Sequence, residues 1–210
     1  MTPDGSPAGA EHAGERGGIG IEESARLLGA YAWVEGRLFE VLGALAADES
    51  SGRLAVLLDS SSQEHAWHAE LFAEHIPLLP GTDPEAFVIA PGPEAAEMLD
   101  RLGKLPGGAP RAAALARVVL PRLVTGYRRH FFRASPLSDG PTRRALRLVL
   151  SDEVEAQLEM EEVLEGLLSG VADPETVLDE AGRLEELVAG SGLGFAPWPG
   201  GSGDLTVPVQ

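Results

Sequence analysis

The sequence predicts an all-α protein: a bundle of four long helices with one long crossover and an extra C-terminal helix. Apolar residues recur at the helical period of 3.6 residues in four long segments. The connections between these segments are short, long and short, in that order. Prolines and glycines gather at the two ends of the chain and in one central stretch. These three observations favour a bundle in which the long connection travels from one end to the other.

The first two helices form an antiparallel pair. An apolar stripe predicts helix one over 21–47. A short polar turn follows at 48–52, too short for anything but antiparallel neighbours. A second stripe predicts helix two over 53–76, and Pro77 begins the stretch that ends it.

The crossover occupies residues 78–109, where five prolines alternate with short apolar pieces. A single short helix is expected within it, over 93–102, with Pro93 in its first turn. Helix three follows over 110–134. Pro121 lies inside helix three and should kink it or shift its hydrogen bonding.

Helix four is predicted over 141–169, after a tight turn. Asp173-Pro174 then reads as a cap and a first-turn proline, opening a fifth helix that reaches about residue 189. The expected organisation is a disordered tail at 1–19, one helical domain at 20–190, and a C-terminal tail at 191–210.

Composition excludes several classes of function. The 210 residues include no cysteine, which excludes disulfides and thiolate chemistry and fits a cytoplasmic protein. No stretch of about 18 apolar residues predicts a membrane span. The net charge of −17 makes general nucleic-acid binding unfavourable.

The charge is unevenly distributed along the chain. Residues 111–147 hold nine arginines and one acid, whereas residues 152–186 hold thirteen acids and one arginine. These two segments can attract each other, or the basic one can bind an anion such as phosphate. The candidate anion patch lies around the turn between helices three and four and comprises Arg128, Arg129, Arg133, Arg143, Arg144 and Arg147.

Four polar residues lie on apolar stripes where leucine is expected, and we call them the Glu/His cluster: Glu35, His65, His68 and Glu153. Residues equidistant from a turn face each other, so Glu35 lies opposite His65. A rise of about 1.5 Å per residue puts Glu153 near the height of Glu35, if helix four runs parallel to helix one. His68 follows His65 by three residues and points the same way. Glu64, at the edge of this face, is an alternate candidate.

A metal ion is one way to stabilise such a cluster, because buried charges are costly unless paired or coordinated. Carboxylates and neutral imidazoles suit iron, manganese or zinc. A metal-free core is the other interpretation. In that case Arg122, expected level with Glu153, is the core charge partner, or protonated histidines take that role.

On these residues the chain resembles the ferritin-like superfamily, and within it the non-haem di-iron hydroxylases and related bacterial tRNA-modifying hydroxylases. The resemblance covers about residues 21–169 and implies a ferritin-like bundle that holds metal between its helices. The family pattern has Glu on helices one and three and Glu-x-x-His on helices two and four. Glu35 fits the first position, and His65-Ala-Trp-His68 lies at the second.

The other two positions depart from that pattern. Helix three offers Leu123 or Arg122, so its carboxylate is absent, and Ala156 stands where helix four would carry histidine after Glu153. We therefore expect an incomplete, vestigial metal site in a non-catalytic interaction or structural module. The alternative is a mono- or di-iron oxidoreductase or hydroxylase, acting on RNA or another anionic substrate.

Two tryptophans lie away from the apolar stripes of helices one and two. Trp33 and Trp67 are large aromatic residues, which are common at protein contacts. We expect the chain to form a homodimer through this face, and a different protein partner is a further option.

Overall fold

The computed structural model describes residues 19–189, and this part of the chain contains helices and no strand. The predicted tails at 1–18 and 190–210 lie outside the described residues. The helices are α1 (Ile21–Asp48), α2 (Gly52–Glu74), α3 (Pro93–Leu102), α4 (Ala109–Ala114), α5 (Leu120–Arg133), α6 (Gly140–Leu168) and α7 (Pro174–Ala189). The all-α prediction is thus confirmed.

Most predicted boundaries agree with these helices to within two residues. Proline lies in the first turn of α3 and α6, where its missing N–H is not needed. The short 3₁₀ helix Pro84–Phe87 was not predicted. Asp83 caps it by accepting a hydrogen bond from the backbone N–H of Glu85.

The crossover runs along α1, from its beginning to its end. The backbone of Phe87 lies against Gly29, near the start of α1. Arg37, further along, donates to Asp100 of α3 at 3.0 Å. The backbone N–H of Gly108 then reaches Glu49, just past the end of α1, at 2.9 Å. The segment between α2 and α4 therefore spans the length of α1, as predicted.

This path determines the direction of the later helices. Because α4 begins beside the end of α1, the run from α4 to α5 is antiparallel to α1. Arg133, the last residue of α5, accordingly lies 3.3 Å from Glu23 at the start of α1. The helix α6 then returns parallel to α1, and its Glu162 pairs with Arg53 at the start of α2.

Between α4 and α5 the helix adopts a π-helical turn, Leu115–Val119, with the N–H of Leu120 bonded to the carbonyl of Leu115. Pro121 follows directly and has no N–H with which to continue the ordinary ladder. The wider turn thus accommodates the missing N–H of the proline, and the helix continues past it. The expected shift in hydrogen bonding at Pro121 is confirmed.

Helix α7 packs against α3, α4 and the π-helical turn. Its buried face consists of Val177, Ala181, Leu184 and Val188. None of the described helices is long and apolar enough to cross a membrane.

Candidate metal centre

Three helices bring the Glu/His cluster together. Glu35 comes from α1, His65 and His68 from α2, and Glu153 from α6. All four side chains are at most 3% exposed. Each offers one ligating atom, and these four atoms lie within 4.8 Å of one another.

The closest contact joins Nδ1 of His65 to Oε2 of Glu35, at 2.5 Å. Nδ1 of His65 lies 3.4 Å from Oε1 of Glu153. Nδ1 of His68 lies 3.3 Å from the same Glu153 oxygen and 3.6 Å from Oε2 of Glu35. Both imidazoles thus present the same type of nitrogen to both carboxylates.

Several polar atoms of the cluster have no hydrogen-bond partner although they are buried. They are Nδ1 of His68 and both carboxylate oxygens of Glu153. A buried polar atom without a partner costs about 1–3 kcal/mol, and more when it is charged. Such atoms are expected where a ligand supplies the missing contacts.

The titration of the cluster follows from its burial and its mixed charges. Burial lowers the pKa of His68, but the two neighbouring carboxylates more than offset this and raise it to about 11. Burial likewise opposes ionisation of Glu35, yet the imidazoles lower its pKa to about 2. Burial keeps the pKa of Glu153 above its ordinary value. Without an ion, His68 is therefore a cation close to both Glu153 and Glu35, and His65 makes the closest contact with Glu35.

Two residues outside the cluster hold its members in place. The Tyr127 hydroxyl donates to Oε1 of Glu35, and burial raises the pKa of this phenol. Nε2 of His68 lies 3.2 Å from Oδ2 of Asp152. An imidazole that gives one nitrogen to a metal and the other to a carboxylate is the usual arrangement around ligating histidines.

Next to the cluster, a groove of about 140 Å³ separates α2 from α6. Its lining includes four carboxylates and two small residues, namely Glu64, Asp152, Glu155, Glu159, Ser61 and Ala156. Glu64, the alternate ligand candidate, is exposed and points to this groove rather than to the cluster. Burial and the nearby Asp152 raise the pKa of Glu64, against the effect of His68.

The prediction that Arg122 is the charge partner in the core is wrong. Its guanidinium makes two hydrogen bonds to Glu185 of α7, at 3.0 and 2.5 Å. The neighbouring Leu123, 1% exposed, takes the inward position on this helix. Since the apolar stripe decides which residue points inward, Arg122 is left facing α7.

The candidate anion patch is only partly available to a ligand. Arg143 donates to the carbonyls of Phe131 and Ala134 and lies 4.1 Å from the centre of the Phe131 ring. Arg133 pairs with Glu23. Arg129 is half-buried, and the exposed members are Arg128, Arg144 and Arg147. The basic segment also pairs with the acidic one, through Arg117–Glu161 and Arg122–Glu185.

Other buried polar residues surround the far side of the cluster. Tyr31 packs edge-on against Tyr127, with ring centres 4.8 Å apart, and lies 5.6 Å from the ring of His130. The Tyr31 hydroxyl and Nδ1 of His130 have no hydrogen-bond partner. Burial lowers the pKa of His130 to about 4. An aromatic wall therefore closes the cluster on the side away from the groove.

No family model matches the chain, and neither does any curated protein or solved structure at a significant level of similarity.

Proposed function

We propose that this chain binds one divalent transition-metal ion through Glu35, His65, His68 and Glu153. The observation that carries the proposal is the set of orphaned polar atoms, Nδ1 of His68 and both oxygens of Glu153. Arg122 is paired with Glu185 of α7, so it does not balance the two carboxylates of the cluster. A divalent ion would supply both the charge and the missing contacts.

The separations between donor atoms fit an ion of ordinary size. Ligands about 2.1 Å from a four-coordinate ion lie about 3.4 Å from one another. Three of the four distances given above, from 3.3 to 3.6 Å, are of this size. His65 and Glu35, at 2.5 Å, would have to separate, with loss of the proton that they share.

The donor chemistry points to iron, manganese or zinc, since two imidazoles and two carboxylates suit borderline divalent ions. Such an ion, when bound, supplies Lewis-acid chemistry, and iron or manganese adds redox chemistry. Asp152 would orient the imidazole of His68, and Tyr127 would orient Glu35.

We assign the bundle to the ferritin-like type, with an incomplete site. The course of the crossover along α1 and the parallel α1 and α6 support this assignment. The inward residue Leu123 on α5 offers no carboxylate, and Ala156 on α6 leaves space at the groove instead of a ligand. The acidic groove admits cations and repels phosphate, so an RNA substrate at this centre is disfavoured.

A metal-free structural or interaction module is the second candidate. It is favoured by the raised pKa of His68 and the lowered pKa of Glu35, which let the cluster balance its own charge. A homodimer through the face that carries Trp67, 45% exposed, belongs to this proposal, although Trp33 does not share that exposure because it packs against the core. Sedimentation of the full chain at micromolar concentration tests it, and a monomer there contradicts it.

Metal content per chain decides between the two candidates. The full chain, produced without a His-tag in iron- and manganese-supplemented cells, is assayed by elemental analysis. It is then stripped and titrated anaerobically with Fe²⁺, Mn²⁺ or Zn²⁺. We expect one equivalent of metal, and a rise in Tm of about 5–10 °C at 100 times Kd.

Glu153→Gln and Glu64→Gln are a matched pair for this experiment, because each neutralises one carboxylate between α2 and α6. Glu153 belongs to the cluster, whereas Glu64 lines the neighbouring groove. Glu153→Gln should abolish tight binding, whereas Glu64→Gln should retain it. Well-folded protein that takes up none of the three metals would exclude the metal centre and leave the metal-free module. Loss of binding in Glu64→Gln alone would show that the ligand set is wrong.

A further inference from the structure

The two oxygens of Glu35 have different surroundings. Oε1 accepts the hydrogen bond of the Tyr127 hydroxyl, whereas Oε2 faces the imidazoles of His65 and His68. Tyr127 is 1% exposed, and its ring packs against two other aromatic rings, Tyr31 at 4.8 Å and Phe72 at 5.2 Å. The phenol therefore has little freedom to leave Glu35.

We infer that Tyr127 is a positioning residue that limits the Glu/His cluster to a single ion, by holding Oε1 of Glu35 and leaving Oε2 as its donor. This inference rests on the proposed metal-binding function. Tyr127 lies on α5, the helix that provides no carboxylate. A second ion would need a further anionic ligand at this centre. On α5 the cluster instead meets a hydrogen-bond donor, the hydroxyl of Tyr127.

The count of donor atoms supports a single ion. With Oε1 of Glu35 engaged, the cluster offers two imidazole nitrogens, one oxygen of Glu35 and the two oxygens of Glu153. If two ions divided these five atoms, at least one of them would have no more than two protein ligands. Among the described residues, Glu180 is the one further carboxylate with a buried unpartnered oxygen, and it lies on α7, in the hollow beside Arg101 and Lys104.

The count of charges leads to the same limit. Glu35 and Glu153 together carry two negative charges, which balance one divalent ion. A second divalent ion would leave two positive charges uncompensated in a site whose residues are at most 3% exposed. Uncompensated buried charge is strongly unfavourable. The carboxylates of the groove do not offset it, since Asp152 is paired with Nε2 of His68, and Glu64, Glu155 and Glu159 are exposed.

Tyr31 provides a matched control for Tyr127. Both are tyrosines with 1% exposure in the same aromatic group, and each loses only a hydroxyl on substitution by phenylalanine. The Tyr31 hydroxyl has no hydrogen-bond partner, whereas that of Tyr127 binds Glu35. An effect that comes from general core structure would appear in both variants, and one that comes from positioning Glu35 would appear only in Tyr127→Phe.

The experiment is an anaerobic Co²⁺ titration of the metal-free full chain, followed by visible absorption and by competition with a chelator. We expect one tight equivalent in the wild type. Tyr127→Phe should weaken Co²⁺ binding about 10- to 100-fold, the usual effect of losing such a supporting hydrogen bond, and should change the absorption bands of bound Co²⁺. Tyr31→Phe should match the wild type in both respects.

Two tight equivalents in the wild type would overturn the one-ion limit, and this readout does not depend on how any variant folds. One equivalent with the same affinity and absorption in Tyr127→Phe would overturn the role of Tyr127 while leaving the metal centre in place. No Co²⁺ uptake by wild-type protein that also fails to take up Fe²⁺, Mn²⁺ and Zn²⁺ would remove the proposed function itself, and this inference with it.

Discussion

Individual buried polar residues in this protein are explained by the groups they contact. Arg111, 4% exposed at the start of α4, donates to the carbonyls of Leu105 and Leu45 and to the carboxylates of Asp48 and Glu49. It therefore joins the α1–α2 turn to the end of the crossover. The composition of the basic segment did not distinguish Arg111 from its neighbours, because three of its four partners, Leu45, Asp48 and Glu49, lie more than sixty residues away.

Replacing Arg111 by methionine should lower the free energy of unfolding by about 2–3 kcal/mol, because the carbonyls of Leu45 and Leu105 and the carboxylate of Glu49 all lose this buried donor. Urea unfolding at pH 7 measures the loss. Arg122→Met is the control, since Glu185 is about half exposed and such pairs contribute at most about 1 kcal/mol. Equal losses in the two variants would contradict the structural role assigned to Arg111.

His130 should make the protein sensitive to acid. Burial holds its folded pKa at about 4, below the ordinary 6.5. Between these two values the unfolded chain binds a proton that the folded chain does not, so stability falls as the pH falls from 6.5 to 4. The loss should reach up to about 3 kcal/mol.

Urea unfolding of His130→Leu between pH 7 and pH 4 tests this, and the variant should show a shallower decline than the wild type. His75→Leu is the control, because His75 is only half-buried and its Nδ1–H donates to the carbonyl of Leu71 at the C-terminal end of α2. A wild-type slope preserved in His130→Leu would assign the acid sensitivity to other groups.

At the scale of elements, the contact between α1 and the 3₁₀ helix Pro84–Phe87 of the crossover depends on a single glycine. A Cβ at Gly29 would lie 2.1 Å from the carbonyl oxygen of Phe87. The backbone of the 3₁₀ helix can approach α1 only because this position has no side chain. The sequence shows the glycine but not the segment that it accommodates.

Gly29→Ala should therefore destabilise the protein by about 2 kcal/mol or more, through a clash with backbone that cannot move freely. Gly36→Ala, two turns further along α1, should instead stabilise it by about 0.5–1 kcal/mol, because a Cβ there meets nothing within 4 Å. Thermal and urea unfolding compare the two. Stabilisation by both substitutions would show that the crossover does not pack on α1 at Gly29.

For the whole molecule, the dominant electrostatic property is the net charge of −17 with a sequence pI near 4.6. Several of the arginine ion pairs, such as Arg26–Glu22 and Arg53–Glu162, are solvent-exposed and contribute little. Self-repulsion of the excess carboxylates should therefore outweigh them.

We expect the free energy of unfolding at pH 7 to rise as NaCl increases from about 10 mM to 300 mM, the range over which the Debye length falls well below molecular dimensions. Near pH 4.6, where the net charge is close to zero, the same increase in salt should have little effect. A decrease in stability with salt at pH 7 would mean that the ion pairs outweigh the repulsion.

The periodicity of apolar residues by itself determined the helices, because each long helix must bury one continuous stripe. It also determined the inward direction of Glu35, His65, His68 and Glu153, which occupy those stripes. The arrangement of donor atoms depended on tertiary structure. The roles of Tyr127, Asp152 and Arg111 depend on partners in other segments. Arg122 does not pair with the core carboxylates as expected, because it pairs with Glu185 of α7. Periodicity specifies which face of a helix is buried, whereas contacts between distant segments decide which atoms meet there.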